Sequence, residues 1–220
     1  AAAWETAPVT MLHPDRAAVV AGPDPESHRP ATRSDDLGVL GFGLWTLAGL
    51  CLDGWAHRHQ PELETFFTPW HAVFYSGFLG SVAWLAWLVA RGRAVATSLW
   101  GAVPEGYQLA VVGVVVFAVG GFGDMVWHTV FGVESSIDAL LSPTHLVMFV
   151  GLLSYALAPF RGAWRDPRQA TGRAPGWGPL LAPLLSLATT TTAVAFFFLY
   201  ANGLNNWPIT DPLQLGGDSQ

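Results

Sequence analysis

Thr68-Pro-Trp-His-Ala-Val-Phe-Tyr-Ser-Gly-Phe-Leu-Gly-Ser-Val-Ala-Trp-Leu-Ala-Trp-Leu-Val-Ala90 runs for 23 residues without an Asp, Glu, Arg or Lys. A helix that crosses a bilayer needs about 20 mostly apolar residues. Thr68 ahead of Pro69 supplies an N-cap and a first-turn proline, and Arg91-Gly-Arg93 closes the run. Leu37–Leu52, Tyr107–Gly123, Ser142–Phe160 and Trp177–Tyr200 are equally free of Asp, Glu and Arg. Backbone immersed in lipid must satisfy its own hydrogen bonds, which such runs do as helices. The expected fold is an all-α polytopic membrane bundle of about five transmembrane helices, with the lipid bilayer as its first partner.

Composition agrees. Of 220 residues, 51% are apolar and only 12% charged, about half the charge of an ordinary soluble domain. The net charge is −6, and all ten basic residues are arginine. No basic stripe exists, which excludes nucleic-acid binding. Cys51 is the single cysteine, so there is neither a disulfide framework nor a thiolate zinc site. Residues 1–36 read as a flexible cytoplasmic tail. Residues 37–93 form a first helix pair, 105–161 a second, 177–201 a fifth helix and 202–220 a polar tail. Gly41, Gly43 and Gly49 suit close helix packing in lipid. The Thr189–Thr192 run is expected to bond back to its own helix. Cys51, about 200° around the helix from Asp53, is expected in the core.

Arginine placement sets the orientation. Arg91, Arg93, Arg161, Arg165, Arg168 and Arg173 lie in the two segments assigned to the cytoplasm, with Arg16, Arg29 and Arg33 in the N-terminal tail. The other two loops hold one Arg against Glu62, Glu64, Glu134 and Asp138. The reading is a multi-pass protein of the cell membrane with its N-terminus in the cytoplasm.

The quoted run also opens a constellation. Asp53 and His57 end the preceding run and His71 starts this one; Asp124, His128 and His145 repeat the arrangement. Asp53 to Asp124 and His57 to His128 are both offsets of 71, and His71 to His145 is 74. A duplicated Asp-x-x-x-His…[Ser/Thr]-Pro-x-His implies a parallel internal repeat of helix pairs. Residues four apart share a helix face, so each Asp/His pair projects together. Each later His lies in the first turn of a helix, where the positive dipole end favours the neutral imidazole that a metal takes. Two His and a carboxylate suit a first-row transition metal with open positions. Asp53, His57, His71, Asp124, His128 and His145 are therefore the candidate metal ligands, either as two sites or as one dinuclear centre. Against this stands polar packing between helices, although an ionisable residue within a membrane marks a functional site by default. His59, Glu62, Glu64 and Glu134 read as solvated loop groups, and Met125 and Met148 as packing. Trp55, Trp70 and Trp127 fall where an interfacial aromatic belt belongs.

Asp53-x-x-x-His57 followed by Phe67-Thr-Pro-Trp-His71-Ala-Val-Phe-Tyr75 resembles the C subunit of particulate methane and ammonia monooxygenases over about 25 residues. That family carries Asp-x3-His and then Phe-Thr-Pro-Ser-His…Phe-Tyr, whose Asp and two His bind copper, or zinc, within the membrane. The resemblance implies that Asp53, His57 and His71 bind copper. Here Trp70 stands for the family's Ser, the loop is slightly longer and the triad is duplicated.

The leading expectation is a copper-binding membrane protein, with zinc or iron as alternative metals. It would serve as a subunit of a membrane oxidoreductase alongside other membrane subunits or further copies of itself. The alternatives are metal storage or transport without catalysis, and haem or chlorophyll ligation in an electron-transfer or light-harvesting complex. The identical Asp-x3-His spacing argues against haem, which needs no Asp partner. No HExxH, diiron His-box, Walker A or Ser-x-x-Lys motif is present.

Overall fold

A computed structural model describes residues 28–60, 66–132, 140–166 and 176–201. Among them are α1 (Arg33–His59), α2 (Pro69–Gly92), α3 (Gln108–Phe131), α4 (Pro143–Ala156), α5 (Ala158–Arg165) and α6 (Trp177–Phe197), closed by a 3-10 turn at Phe198–Ala201. No strand occurs among the described residues. Four helices, α1, α2, α3 and α6, are long and apolar enough to cross a membrane, and α4 with α5 passes the same test only as a bent pair, the form of a broken span or of a re-entrant loop. Outward faces carry Leu79, Val119 and Phe122, each more than 60% exposed, as a lipid-facing surface requires.

The helix starts follow from their caps. Thr68 and Ser142 accept the backbone N–H of His71 and His145 through their hydroxyls, and a proline occupies the first turn of each helix. α1 begins at Arg33, four residues before the apolar run, because Thr32 and Asp35 form a capping box. Asp35 and Asp36 thus belong to the bundle. The Asp35 carboxylate is fully buried between Arg29 (2.7 Å) and Arg91 (2.6 Å). Tyr107, itself fully buried, donates to Asp36 at 2.6 Å. This polar clasp ties the start of α1 to the end of α2 and the start of α3.

α1 packs chiefly on α2, and α3 on α4. Glycine allows both approaches. A Cβ on Gly49 would stand 2.5 Å from Phe74 Cα, and one on Gly77 would stand 2.6 Å from Thr46 N. On the other pair, Gly120 faces Met148 N at 2.8 Å and Gly151 faces Phe117 N at 2.6 Å. Gly41 meets nothing within 4 Å and Gly43 only Ala156 Cβ at 3.9 Å, so of the three glycines expected at a close contact only Gly49 serves there. Phe74, Phe78, Phe117 and Tyr155 fill the centre, with Phe78 and Phe117 stacked at 4.2 Å.

The fourth apolar run is not one straight helix. It breaks at Leu157 and turns by 41° into α5. Pro159 lacks the N–H that would bond to Tyr155, and its ring crowds the preceding turn. Other donors serve the loosened turn: Ser186 Oγ donates to Ala156 O at 2.6 Å, and the Arg161 guanidinium donates to Ser154 O. The threonine run behaves as expected, with Thr189, Thr190, Thr191 and Thr192 each donating to the carbonyl four residues earlier at 2.7–2.9 Å.

Cys51 is exposed, contrary to the expectation of a core position. In a membrane bundle the face opposite a buried polar site looks toward lipid, so pointing away from Asp53 means pointing out.

Candidate metal centre

All six predicted residues gather at one end of the bundle, opposite the Arg29–Asp35–Arg91 clasp. α1 delivers Asp53 and His57 from its last two turns. α3 delivers Asp124 and His128 in the same way, and α2 and α4 present His71 and His145 from their first turns. Asp53, His71, Asp124 and His128 are buried, between 1% and 8% exposed; His57 and His145 are partly exposed.

Within the first set, Asp53 Oδ2 lies 3.7 Å from His57 Nε2 and 3.5 Å from His71 Nε2. Within the second, Asp124 Oδ1 lies 3.5 Å from His128 Nε2 and 3.1 Å from His145 Nε2. The two sets touch. His57 and His128 stack with 6.1 Å between ring centroids, and His71 and His128 lie 6.0 Å apart. Ligand atoms of Asp53, His57 and His71 all fall within 4.8 Å of one another, as do those of His71, Asp124 and His128. His71 is common to both groups, so five of the six residues make one cluster with two overlapping places for an ion; in the second of these His71 takes the place expected of His145, which belongs to neither group and lies beside Asp124 at 3.1 Å.

The outer ring nitrogens are tied down. His71 Nδ1 pairs with Thr68 Oγ1 at 3.1 Å, and His128 Nδ1 lies 3.2 Å from the Gly132 carbonyl oxygen. A carbonyl only accepts, so in a neutral His128 the proton sits on Nδ1 and Nε2 carries a lone pair. That lone pair confronts the Asp124 carboxylate. His128 Nε2 and Asp53 Oδ1 are both buried without a hydrogen-bond partner among the described residues. Buried acceptors left unpaired are costly, and a cation between them relieves the cost. Imidazoles fixed through one nitrogen with the other directed inward are the usual arrangement around a bound metal.

Further residues, given no role by sequence reasoning, surround the six. Tyr75 donates from α2 to Asp124 Oδ2 at 3.5 Å, and its hydroxyl lies 3.8 Å from Met148 Sδ. Thr144 donates to Asp124 Oδ1 at 3.1 Å. Phe66 stacks on the His71 ring at 4.8 Å and 21°. Thr144 adjoins His145, so a hydroxyl beside a candidate ligand was the available signal; Tyr75 closes the motif that carries the family resemblance, but nothing in that motif tells that it reaches over to the other helix pair. His59 stays outside the cluster, stacking on Trp55 with Nδ1 2.9 Å from Trp55 O. Met148 belongs to the apolar core. Glu62, Glu64 and Glu134 lie outside the described residues.

No protein-family model, curated protein or solved structure matches the chain.

Proposed function

We propose that this is an integral membrane metalloprotein that binds a first-row transition metal, copper first, through Asp53, His57, His71, Asp124, His128 and His145. The observation that carries the proposal is the inward-facing His128 Nε2 beside Asp124, buried without a hydrogen-bond donor among the described residues. Imidazole and carboxylate donors suit copper, zinc and iron alike. Among divalent ions the affinity of such a site peaks at copper, in keeping with the resemblance to the copper-binding monooxygenase subunit. A copper ion so held supplies a redox centre with open positions, which makes a membrane oxidoreductase subunit the activity class we infer. The chain's own contribution is to fix the imidazoles through Thr68 and Gly132, to bury the carboxylates and to exclude water with Phe66.

The parallel repeat of helix pairs belongs to this proposal. It is supported by matched close contacts: Gly49 on Phe74 parallels Gly120 on Met148, and Gly77 on Thr46 parallels Gly151 on Phe117. These pairs follow the same offsets of 71 and 74 as the ligands. The orientation we infer has the cluster at the outer face of the cell membrane and the N-terminus inside, and the arginine distribution supports it.

The test is elemental analysis with optical and paramagnetic spectra of the full chain purified in detergent from copper-replete cells. Expected are bound copper and a ligand-field band lost in the Asp53→Asn, Asp124→Asn double variant. A well-folded chain that binds none of copper, zinc or iron overturns the proposal.

A further inference from the structure

The two halves of the cluster share their ligand pattern but differ in what holds the carboxylates. Asp124 is fastened at both oxygens. Thr144 Oγ1 donates to Oδ1 at 3.1 Å, and Ser142 Oγ lies 3.2 Å behind that hydroxyl. Tyr75 Oη donates to Oδ2 at 3.5 Å. Asp53 has only the two imidazoles on Oδ2, and its Oδ1 is buried with no hydrogen-bond partner among the described residues.

The chain itself explains the difference. By the offset of 74, Thr144 corresponds to Trp70 and Tyr75 to Phe149. Trp70 carries no hydroxyl and packs edge-on against Trp55 at 6.1 Å. Phe149 stacks on Phe197 of α6 at 4.1 Å. Tyr75 therefore reaches across to the carboxylate of the other half, and Phe149 has no hydroxyl with which to reach back. Groups that orient a ligating carboxylate raise metal affinity, and losing one typically costs about 10–100-fold.

We propose that the halves load in order, the Asp124 half taking the first ion and the Asp53 half the second, with Thr144 and Tyr75 as the positioning residues that set the order. The ordering rests on the metal-binding reading above. The preformed carboxylate needs no rearrangement, whereas Asp53 must give up rotational freedom when an ion arrives.

The experiment is a titration of the metal-stripped full chain in detergent with Cu(II), following heat and the paramagnetic signal against a competing chelator. The wild type should bind in two steps at least about 10-fold apart in affinity. Thr144→Val should weaken the tight step about 10-fold and leave the weak step in place, Thr144→Ser should restore it, and Tyr75→Phe should act in the same direction. Asp124→Asn should remove the signal of the first equivalent, and Asp53→Asn should leave it. Melting temperatures report folding, and the Ser rescue separates loss of the hydroxyl from loss of packing. A single equivalent, two equal steps, or a Thr144→Val effect on the weak step alone overturns the ordering while the metal site stands. A folded wild type that binds no copper overturns both.

Discussion

The imidazoles of His57 and His128, 71 residues apart in the chain, lie nearly parallel, with 27° between their planes and 6.1 Å between their centroids. That contact joins the ends of α1 and α3 and merges two sequence motifs into one cluster.

His71→Ala is expected to reduce copper content more than His57→Ala or His128→Ala does, because His71 belongs to both ligand groups. His57→Ala and His128→Ala should each lose loading at their own half. All three should stay folded, since each removes a ligand rather than an apolar core residue. Copper per protein, measured with circular dichroism on the same samples, checks this.

Gly151→Val is expected to destabilise the protein, because even a Cβ there would stand 2.6 Å from Phe117 N and 2.8 Å from Gly113 O. Overpacking of this kind costs about 1–3 kcal/mol. Gly41→Val, with nothing within 4 Å of its Cβ, is the matched control and should melt like the wild type. Thermal unfolding in detergent reads both.

Asp35→Ala should cost about 2–3 kcal/mol, below the ~3–5 expected for a fully buried pair, because Arg29 and Arg91 are partly exposed and regain water. Copper loading should survive in the folded fraction, since the clasp lies at the far end of the bundle. Denaturation midpoints and metal content together check the two statements.

Orientation can be read with single cysteines in a Cys51→Ser background. Phe67→Cys, at an 81% exposed position, should be labelled by an impermeant maleimide from outside intact cells, and Val95→Cys, at 84%, only after permeabilisation. The opposite pattern would put the cluster at the cytoplasmic face.

The six candidate ligands were legible because local rules place them. Spacing of four aligns Asp53 with His57 and Asp124 with His128, and a hydroxyl-proline start puts His71 and His145 in a first turn. How closely the two motifs meet was not legible, since it depends on how one helix pair packs on the other, through contacts such as Gly121 on Tyr75 and Phe78 on Phe117. The Asp35 clasp was hidden for a similar reason, its Arg91 partner lying 56 residues downstream. Charge at the start of α1 resembles a tail, and it is the Thr32 cap with Asp35 that makes it helix. The break at Leu157 was written in Pro159, but an uncharged run masks a proline when hydropathy alone is scored. Cys51 differs: its angle of about 200° from Asp53 stands, but in a membrane bundle the face turned away from a buried polar site is the lipid face and not the core.

The bend at Leu157 also matters for the thickness of the surrounding bilayer. At about 1.5 Å rise per residue, the 24 residues of α2 reach roughly 36 Å. α4 alone covers about 21 Å, and α5, leaning by 41°, adds only about 9 Å along the same axis. The α4/α5 flank therefore just matches a hydrocarbon core of about 30 Å, while the α1/α2 flank exceeds it. Flanks of unequal length are accommodated by a lean of the bundle or by local thinning of the bilayer, so the bend at Leu157 makes thickness a condition that the two sides of this protein meet differently.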